Sequence, residues 1–376
     1  MKIAWFTDTW LPTRDGVVTS LLAFKKEIEK KGNEVYIFAP GKENCENDNV
    51  FYYKSRPFKK YENYRFVSFP SFFSKRTERI IEKIKPGIIH SHSPGFMGVH
   101  ALIASYKKEI PLFFTYHTFI DDSAYLIIRD KNFQNFAKKL LYQWLRYYMK
   151  RCSCIIAPSN YTARYINEKI IEKNIEVIPT GIDLKRFETK KNRSGIKKED
   201  GNKIILHVGR IVKEKNIDLI IESAPYILKK IDAIFLIVGE GPARKEYEEK
   251  VKEKGLQNSF IFTGFVDDEK LLHYYASSDV FVFPSIYETQ GIVALEAMAS
   301  GLPVVAARAK ALPDFIRDGE NGYLFDPQNV KEFAEKVIKA IEDKKIAERG
   351  MEYVKNFSIE KMAEKLVSLY ESKMRA

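Results

Sequence analysis

Glu288-Thr289-Gln290-Gly291-Ile292-Val293-Ala294-Leu295-Glu296-Ala297-Met298-Ala299 is the stretch on which the reading of this chain turns. It follows the apolar run Asp279 to Ser285 (DVFVFPS), which reads as a buried strand. Gly291 ends the connecting loop, and Ile292 to Ser300 reads as the first turns of a helix. Two carboxylates therefore flank a strand–loop–helix junction, Glu288 in the loop and Glu296 two turns into the helix. Between them lie backbone N–H groups at a helix N-terminus, which carry roughly +0.5 of an elementary charge and suit a phosphate. Hydroxyl-seeking carboxylates on both sides of an anion site describe a pocket for a sugar nucleotide. The rest of the chain must supply the other half of that pocket.

At 376 residues the chain exceeds one ordinary core, which predicts two domains. With 45% hydrophobic and 30% charged residues it has the balance of a soluble globular protein. No apolar run reaches the roughly 18 residues of a membrane span, and Met1-Lys2-Ile3 enters a strand with no signal or transit segment. Cys45, Cys152 and Cys154 make no disulfide framework and fit a reduced, cytoplasmic setting. They also lack the ligand number and spacing of a zinc site. The net charge of +12 is uneven. Residues 1–183 hold 29 Lys and Arg against 19 Asp and Glu, while the remainder holds 33 against 31. From Lys131 to Arg164 there are seven basic residues and no acidic one. Such asymmetry points to an anionic surface or polymer as partner, with nucleic acid and anionic lipid both open. A Lys-rich solvated surface is the plain alternative.

The opening run Lys2 to Asp8 reads as a strand, Thr9 to Gly16 as a loop, and Val17 to Lys30 as a helix stopped by Lys31-Gly32-Asn33. Glu34 to Ala39 is the next strand, which sets the βαβ rhythm of a parallel sheet. The first loop has no G-x-G-x-x-G, so a dinucleotide fingerprint is absent. Its one glycine, Gly16, is either a place for close phosphate approach or an ordinary turn residue. Further strands read at Gly87–Ser91, Leu112–Thr115, Cys154–Ala157 and Glu176–Ile178, with a helix over Gly95–Lys107. The stretches Lys54–Lys60 and Phe66–Phe73 are aromatic and basic, the second running into Ser74-Lys75-Arg76. Phe133 to Arg151 reads as a helix that mixes apolar residues, Trp144 among them, with Lys138, Lys139 and Arg146. That mixture suits a membrane interface; alternatively the apolar stripe packs on the sheet and the charges are solvated. Phe72, Phe73, Lys75 and Arg76 have fewer reasons to be buried.

Residues 183–202 are polar and charged and make the best linker. A second βα series follows, with strands at Lys203–Val208, Ala233–Val238, Ser259–Thr263, Val280–Pro284, Val304–Ala306 and Gly322–Phe325. Helices read at Asn216–Lys229, Pro242–Lys254, Asp267–Ala276 and Val330–Asp343, and a last one runs from Ser358 to about Lys373. What recurs is a whole α/β half. The predicted fold is α/β, two doubly wound (Rossmann-like) parallel-sheet domains facing across a cleft, with ligands at the carboxyl ends of the strands.

Several groups sit at those strand ends. His117 lies just past Phe113–Tyr116 and is a candidate acid, base or hydrogen-bonding group, with a structural histidine as the alternative. His90 and His92 share one face at a strand exit; no carboxylate stands at motif spacing to complete a metal site with His117. Arg210 and Lys215 follow the strand ending at Val208, and two such cations can clamp a diphosphate and stabilise it as a leaving group. Surface pairing with Glu214 and Asp218 is the alternative. Gly239-Glu240-Gly241-Pro242 and Gly264-Phe265-Val266 are further strand-exit turns, near which the nucleotide and its base would lie.

Taken together, HVGRIVKEKNIDLII, VGEGP, FTGFV, ETQGIVALEAMASGLPVV and DGENGYLF resemble the C-terminal half of retaining glycosyltransferases with the GT-B fold and the E-x7-E signature (glycosyltransferase group 1). MKIAWFTDTWLPTRDGVVTSL, IIHSHSP, TYHTF and PTGIDLKRF resemble their N-terminal half, so the likeness spans nearly the whole chain. The resemblance implies that Glu288 contacts the donor sugar hydroxyls and orients the reacting centre, and that Glu296 binds the ribose. It gives the amides around Gly291 and Ile292 to the distal phosphate, Arg210 and Lys215 to the diphosphate, and the backbone at Val266 to the base. Gly16 would let the first loop approach the donor phosphates, and His117 would lie at the junction of sugar and acceptor. It implies no metal and no cofactor beyond the nucleoside-diphosphate sugar co-substrate.

Two departures stand out: Gln290 occupies a position where many members carry Phe, and Arg308-Ala309-Lys310-Ala311 lacks the paired glycines common there. Thr115-Tyr116-His117-Thr118 and Glu288-Thr289-Gln290-Gly291 resemble the subgroup that glucosylates diacylglycerol and related lipids. The resemblance thus implies a hexosyltransferase with a UDP-glucose-like donor and a lipid acceptor. The enzyme is expected to be cytoplasmic and peripheral on the anionic inner face of the cell membrane. Residues 1–183 would form the acceptor domain, with the helix 358–376 packing back on it, and 184–357 the donor domain. A soluble sugar or polyol acceptor, a sugar-nucleotide epimerase on the same fold, and a nucleic-acid-binding module are the alternatives. The last leaves the two glutamates unexplained and has no reading helix or aromatic RNA platform, so no nucleic acid is expected as partner.

Overall fold

The computed structural model describes residues 1–13, 15–58, 61–67, 75–119, 131–187 and 202–374. The chain divides into two compact units, Met1–Gly181 with Ile359–Ala376, and Ile182–Ser358.

The first unit contains β1 (Lys2–Phe6), α1 (Gly16–Lys30), β2 (Glu34–Gly41), β3 (Cys45–Asn47), β4 (Val50–Phe58), β5 (Tyr61–Val67), α2 (Lys75–Ile84), β6 (Ile88–Ser91), α3 (Phe96–Lys108), β7 (Leu112–Thr115), α4 (Lys131–Arg151), β8 (Cys154–Ala157), α5 (Asn160–Lys169) and β9 (Ile175–Val177). The second holds β10 (Lys203–Val208), α6 (Ile217–Leu228), β11 (Ala233–Val238), α7 (Arg244–Glu253), β12 (Phe260–Gly264), α8 (Asp268–Ser277), β13 (Val280–Phe283), α9 (Ile292–Ala299), β14 (Val304–Ala307), α10 (Leu312–Phe315), β15 (Tyr323–Phe325), α11 (Val330–Glu342) and α12 (Lys344–Val354). The chain then returns to the first unit as α13 (Ile359–Met374).

Strand order in the first sheet is β3-β4-β2-β1-β6-β7-β8-β9, with β5 on β4. From β4 to β9 the neighbours are parallel, while β3 and β5 pair antiparallel with β4. Alternate side chains serve opposite faces. Ile3, Trp5, Val35, Ile37, Ile88 and Phe113 join one buried cluster with Val18, Leu21 and Ile28 of α1 and Ile359, Met362, Leu366 and Tyr370 of α13. Phe6 and Phe38 have the other parity and stack on each other at 4.3 Å. Asp15 begins α1 by accepting a hydrogen bond from the Val18 amide at 2.9 Å. Just past the end of β1, half-buried Asp8 accepts from the Met97 amide at 2.7 Å at the start of α3.

The second sheet runs β12-β11-β10-β13-β14-β15, parallel throughout. Parallel ladders buried on both faces need near-continuous apolar runs. Those runs are ILHV, FLIV, VFVF and VVAA, all buried.

Two regions depart from the sequence reading. The basic, aromatic stretch from Lys54 forms paired strand: Ser55 lies opposite Val67 and Arg56 opposite Phe66. Aromatic residues favour a pleated, half-buried surface, and Tyr53 on β4 is fully buried. The charged segment Lys344–Val354 is a helix, held through Ile346, Gly350 and Val354 at every fourth position; so narrow an apolar stripe is hard to see in sequence.

Leu366→Ala on α13 is expected to cost the first unit about 2–5 kcal/mol, the usual penalty for a buried Leu. Denaturant unfolding checks this, and wild-type stability would show that α13 is not part of that core.

Candidate active site

In the second unit three carboxyl-end loops converge. The strand β13 is buried throughout and delivers Ser285 to Gly291 at its exit. Gly291 then takes φ +87 to start α9, a backbone conformation that favours glycine, and a Cβ there would also lie 2.6 Å from Leu312 Cδ2, which would have to shift. No side chain caps α9, which leaves its first-turn amides suited to an anion. After β10, a single 3₁₀ turn, Lys213–Lys215, is followed by Asn216 at φ 53, which redirects the chain into α6. The Ile286 amide donates to Glu214 O at 3.1 Å, fastening the β13 loop to that turn.

Across this fastening Lys215 Nζ pairs with Glu288 Oε1. Their side chains are 20% and 14% exposed, so both charges are largely desolvated and each depends on the other. Lys215 does not pair with Asp218, whose partner is Lys250 at 2.8 Å. The third loop joins through the Ala311 amide, 3.4 Å from Glu288 O. In that loop Lys310 takes φ 49 without being glycine. Arg210 is exposed at the exit of β10, Gln290 is buried beside Gly291, and Val266 is half-buried next to Phe265, which is 71% exposed.

Glu296 lies deeper. Tyr275 Oη donates to its Oε2 at 3.1 Å, and Arg186 Nη1 stands 3.6 Å from its Oε1. Burial raises its pKa, an effect Arg186 and Tyr275 oppose. The same arginine reaches Asp268 at 2.7 Å. Sequence reasoning gave Arg186 no role; the available signal was a cation just before buried Phe187 at the entry of the second unit. His207, the penultimate residue of β10, was also passed over. It is fully buried with Nδ1 3.1 Å from Val282 O, and burial pushes it down to about 4. Its other nitrogen, Nε2, is 3.6 Å from the point where a Cβ on Gly209 would lie, and Lys215 Cε is 4.0 Å from that point.

In the first unit His117 follows β7, and its Nε2 lies 3.1 Å from His92 Nδ1. His90, stacked 4.1 Å from His92, contacts Tyr370 Oη and Thr115 Oγ1. The three histidines line a small cavity of about 20 Å³ with Ser20, Thr180 and Trp5. Burial pushes His117 down to about 4 and His90 and His92 well below the ordinary value, so all three are neutral near pH 7. Gly16 is the first residue of α1, whose N-terminus Asp15 caps. Among the described residues no group of three or more His, Cys, Asp and Glu is placed to hold a metal ion.

The proposed membrane-facing residues divide. Lys75 and Lys139 are exposed and Lys138 half-buried. Arg76, by contrast, donates to Cys45 O at 3.1 Å and to Tyr52 O at 3.4 Å, and lies 5.4 Å over the Tyr53 ring. Trp144 Nε1 donates to Pro94 O at 2.8 Å and Arg146 Nε to Ile170 O at 2.8 Å, so both anchor α4. Phe72 and Phe73 fall outside the described residues. Among the described side chains of α4, Phe136 (58%), Leu140 (51%) and Tyr147 (46%) are exposed apolar groups, on one helical face. Phe136 and Leu140 belong to the apolar set that the sequence offered for an interface; Tyr147 does not. No helix among the described residues is long and apolar enough to cross a membrane.

Residues 188–357 match the family described as Glycosyl transferases group 1, and residues 14–186 match Glycosyltransferase Family 4. An alpha-monoglucosyldiacylglycerol synthase of Streptococcus pneumoniae is 32% identical over 337 residues, covering 86% of this chain and 75% of that one. One of the same name from Acholeplasma laidlawii is 31% identical over 348 residues, covering 87% and 85%. Among solved structures, sucrose-phosphate synthase from Thermosynechococcus elongatus superposes with TM-score 0.78 at 20% identity, over 100% of this chain and 99% of that one. Anabaena HepE in complex with UDP and glucose gives 0.77 at 19%, over 99% and 100%. Both share the GT-B fold found here.

The buried histidine of the second unit has a pH consequence. Between pH 6.5 and about 4 the unfolded chain takes up a proton that native His207 does not. Stability of this unit therefore falls as pH drops through that window, by up to about 3 kcal/mol from this residue. Denaturant unfolding across those pH values should show a shallower loss in His207→Gln; equal slopes would mean His207 is not buried neutral.

Proposed function

The chain belongs to the group 1 glycosyl transferases, and on that premise we propose that it moves a hexose from a nucleoside-diphosphate sugar to a hydroxyl of a membrane lipid, with retention at the anomeric carbon. The single observation that carries the reading is the largely desolvated Lys215–Glu288 pair at the N-terminus of α9. The pair holds an anion-binding and a hydroxyl-binding group ready, each neutralised by the other. An arriving diphosphate competes for Lys215 and, with Arg210 and the amides of Gly291 and Ile292, spreads its charge over several donors. Glu288, released from the lysine, then accepts hydrogen bonds from the sugar hydroxyls. Glu296, deeper in the same unit, would accept from the ribose as Arg186 and Tyr275 hold it. Val266 and Gln290 border the base and the sugar.

Retention follows if the acceptor attacks from the face that the leaving group vacates. The bond from the anomeric carbon to the diphosphate oxygen breaks, the acceptor oxygen bonds to that carbon, and its proton passes to the departing phosphate. Lys215 and Arg210 stabilise the charge that develops on the diphosphate. No step in this scheme draws on a metal or on a cofactor other than the donor itself.

The likeness to two proteins named alpha-monoglucosyldiacylglycerol synthase supports the lipid acceptor. So do the net charge of +12 and the exposed Phe136, Leu140 and Tyr147 beside Lys139, Lys150 and Arg151 on α4. Aromatic and aliphatic groups entering the headgroup layer, with cations at its surface, hold a protein at an anionic bilayer. On this reading the enzyme works at the inner face of the cell membrane.

Glu288→Ala is expected to lower kcat by at least about 10²–10³-fold with the fold intact; turnover near wild type would sink the assignment. A thermal-shift screen against UDP-, GDP- and ADP-sugars should single out one donor, since a ligand at 100 times its Kd stabilises by about 2.7 kcal/mol. Anionic vesicles should capture the protein at low salt and release it at high salt, and Phe136→Ser with Leu140→Ser should weaken the capture. Equal recovery with and without vesicles would point to a soluble acceptor.

A further inference from the structure

Three of the first unit's four histidines, His90, His92 and His117, lie together: a hydrogen-bond chain that begins on α13 fixes the first, whose ring packs on the second, which in turn bonds the third. Trp5 Nε1–H donates to Tyr370 Oη at 3.2 Å. With that oxygen accepting, the phenol's own proton goes to His90 Nδ1, 2.5 Å away. His90 is neutral and so carries a single N–H. That N–H must sit on Nε2, from which it donates to Thr115 Oγ1 at 2.8 Å. The tautomer of His90 is therefore fixed by a residue 280 positions away in sequence.

His92 is held between the His90 ring at 4.1 Å and the Trp5 ring at 5.0 Å. Its Nδ1 meets His117 Nε2 at 3.1 Å, and a single proton occupies that contact. If His117 gave the proton, His92 would carry its N–H on Nε2. That atom is buried and has no hydrogen-bond partner among the described residues. An orphaned buried N–H is rarer than an under-satisfied acceptor, so the arrangement that leaves a lone pair on His92 Nε2 is favoured.

We infer that His92 is a positioning residue: it donates its Nδ1–H to His117 Nε2 and holds His117 as the Nδ1–H tautomer. His117 then carries an N–H, and not a lone pair, at Nδ1 and is a hydrogen-bond donor there, not a base. A donor suits the proposed chemistry, in which the departing phosphate takes the acceptor's proton and no side-chain base is needed; that last point alone rests on the proposed function.

Nitrogen-15 NMR of the full chain with labelled histidine, near pH 7.5, decides the tautomer. A protonated Nδ1 and a bare Nε2 on His117 are expected, with the resonances assigned from the His117→Asn spectrum. A protonated Nε2 on His117 would overturn the inference. Where His92→Phe folds, His117 should lose its single tautomer and kcat should fall with little change in donor KM. An unchanged His117 spectrum in that variant would show that His92 does not set it.

Discussion

At the carboxyl rim of the second sheet two loops cross with no room for a side chain between them. Gly239 takes φ +137, and a Cβ on it would fall 1.9 Å from Gly209 O. The backbones bond at this crossing: Gly209 N to Val238 O at 3.0 Å, Ile211 N to Glu240 O at 2.9 Å, and Gly239 N to Gly264 O at 3.0 Å. Three strand exits are thereby locked side by side. The loop that carries Arg210 leaves this lock with little freedom and ends in the 3₁₀ turn that presents Lys215 to Glu288. A desolvated ion pair is useful only when its geometry is fixed beforehand, and backbone contact fixes it more rigidly than side-chain packing would.

The first unit solves a related problem with different means. Buried imidazoles lose their charge, and their protons then become directional information. Tyr370, itself accepting from Trp5, and Thr115 occupy the two ring nitrogens of His90, and the rings of His90 and Trp5 confine His92. The cost of desolvating so many polar groups is offset because nearly every one is bonded. The last helix of the chain is thus part of the support of the candidate histidine as well as part of a hydrophobic core.

Much of the fold was legible in local pattern. The runs ending at Val208, Val238 and Phe283 read as buried strands because a parallel sheet covered on both faces demands uninterrupted apolar residues. Gly291 read as a helix start because the chain must reverse there. The antiparallel β4–β5 pair was not recognised, since its tyrosines and arginines looked like a surface patch. Arg76, Trp144 and Arg146 are of types enriched at membrane interfaces, and each also donates to a backbone carbonyl of its own unit, Arg76 and Trp144 half-buried and Arg146 exposed. Phe136, Leu140 and Tyr147 are exposed on one face of the helix that carries the last two.

The sequence by itself determined the two α/β halves, the strand exits at which chemistry is possible, and the residue types waiting there: Glu288, Glu296, Arg210, Lys215 and His117. Strand and helix periods, and the glycines that interrupt them, are local properties and can be read in short windows. Tertiary structure alone decided who meets whom. Lys215 and Glu288 are 73 residues apart, Tyr370 and His90 280, and Arg186 reaches Glu296 across four strands of intervening chain. Such pairings leave no periodic trace because they are set by sheet order and by the direction in which each loop leaves its strand. Those directions exist only once the backbones have packed.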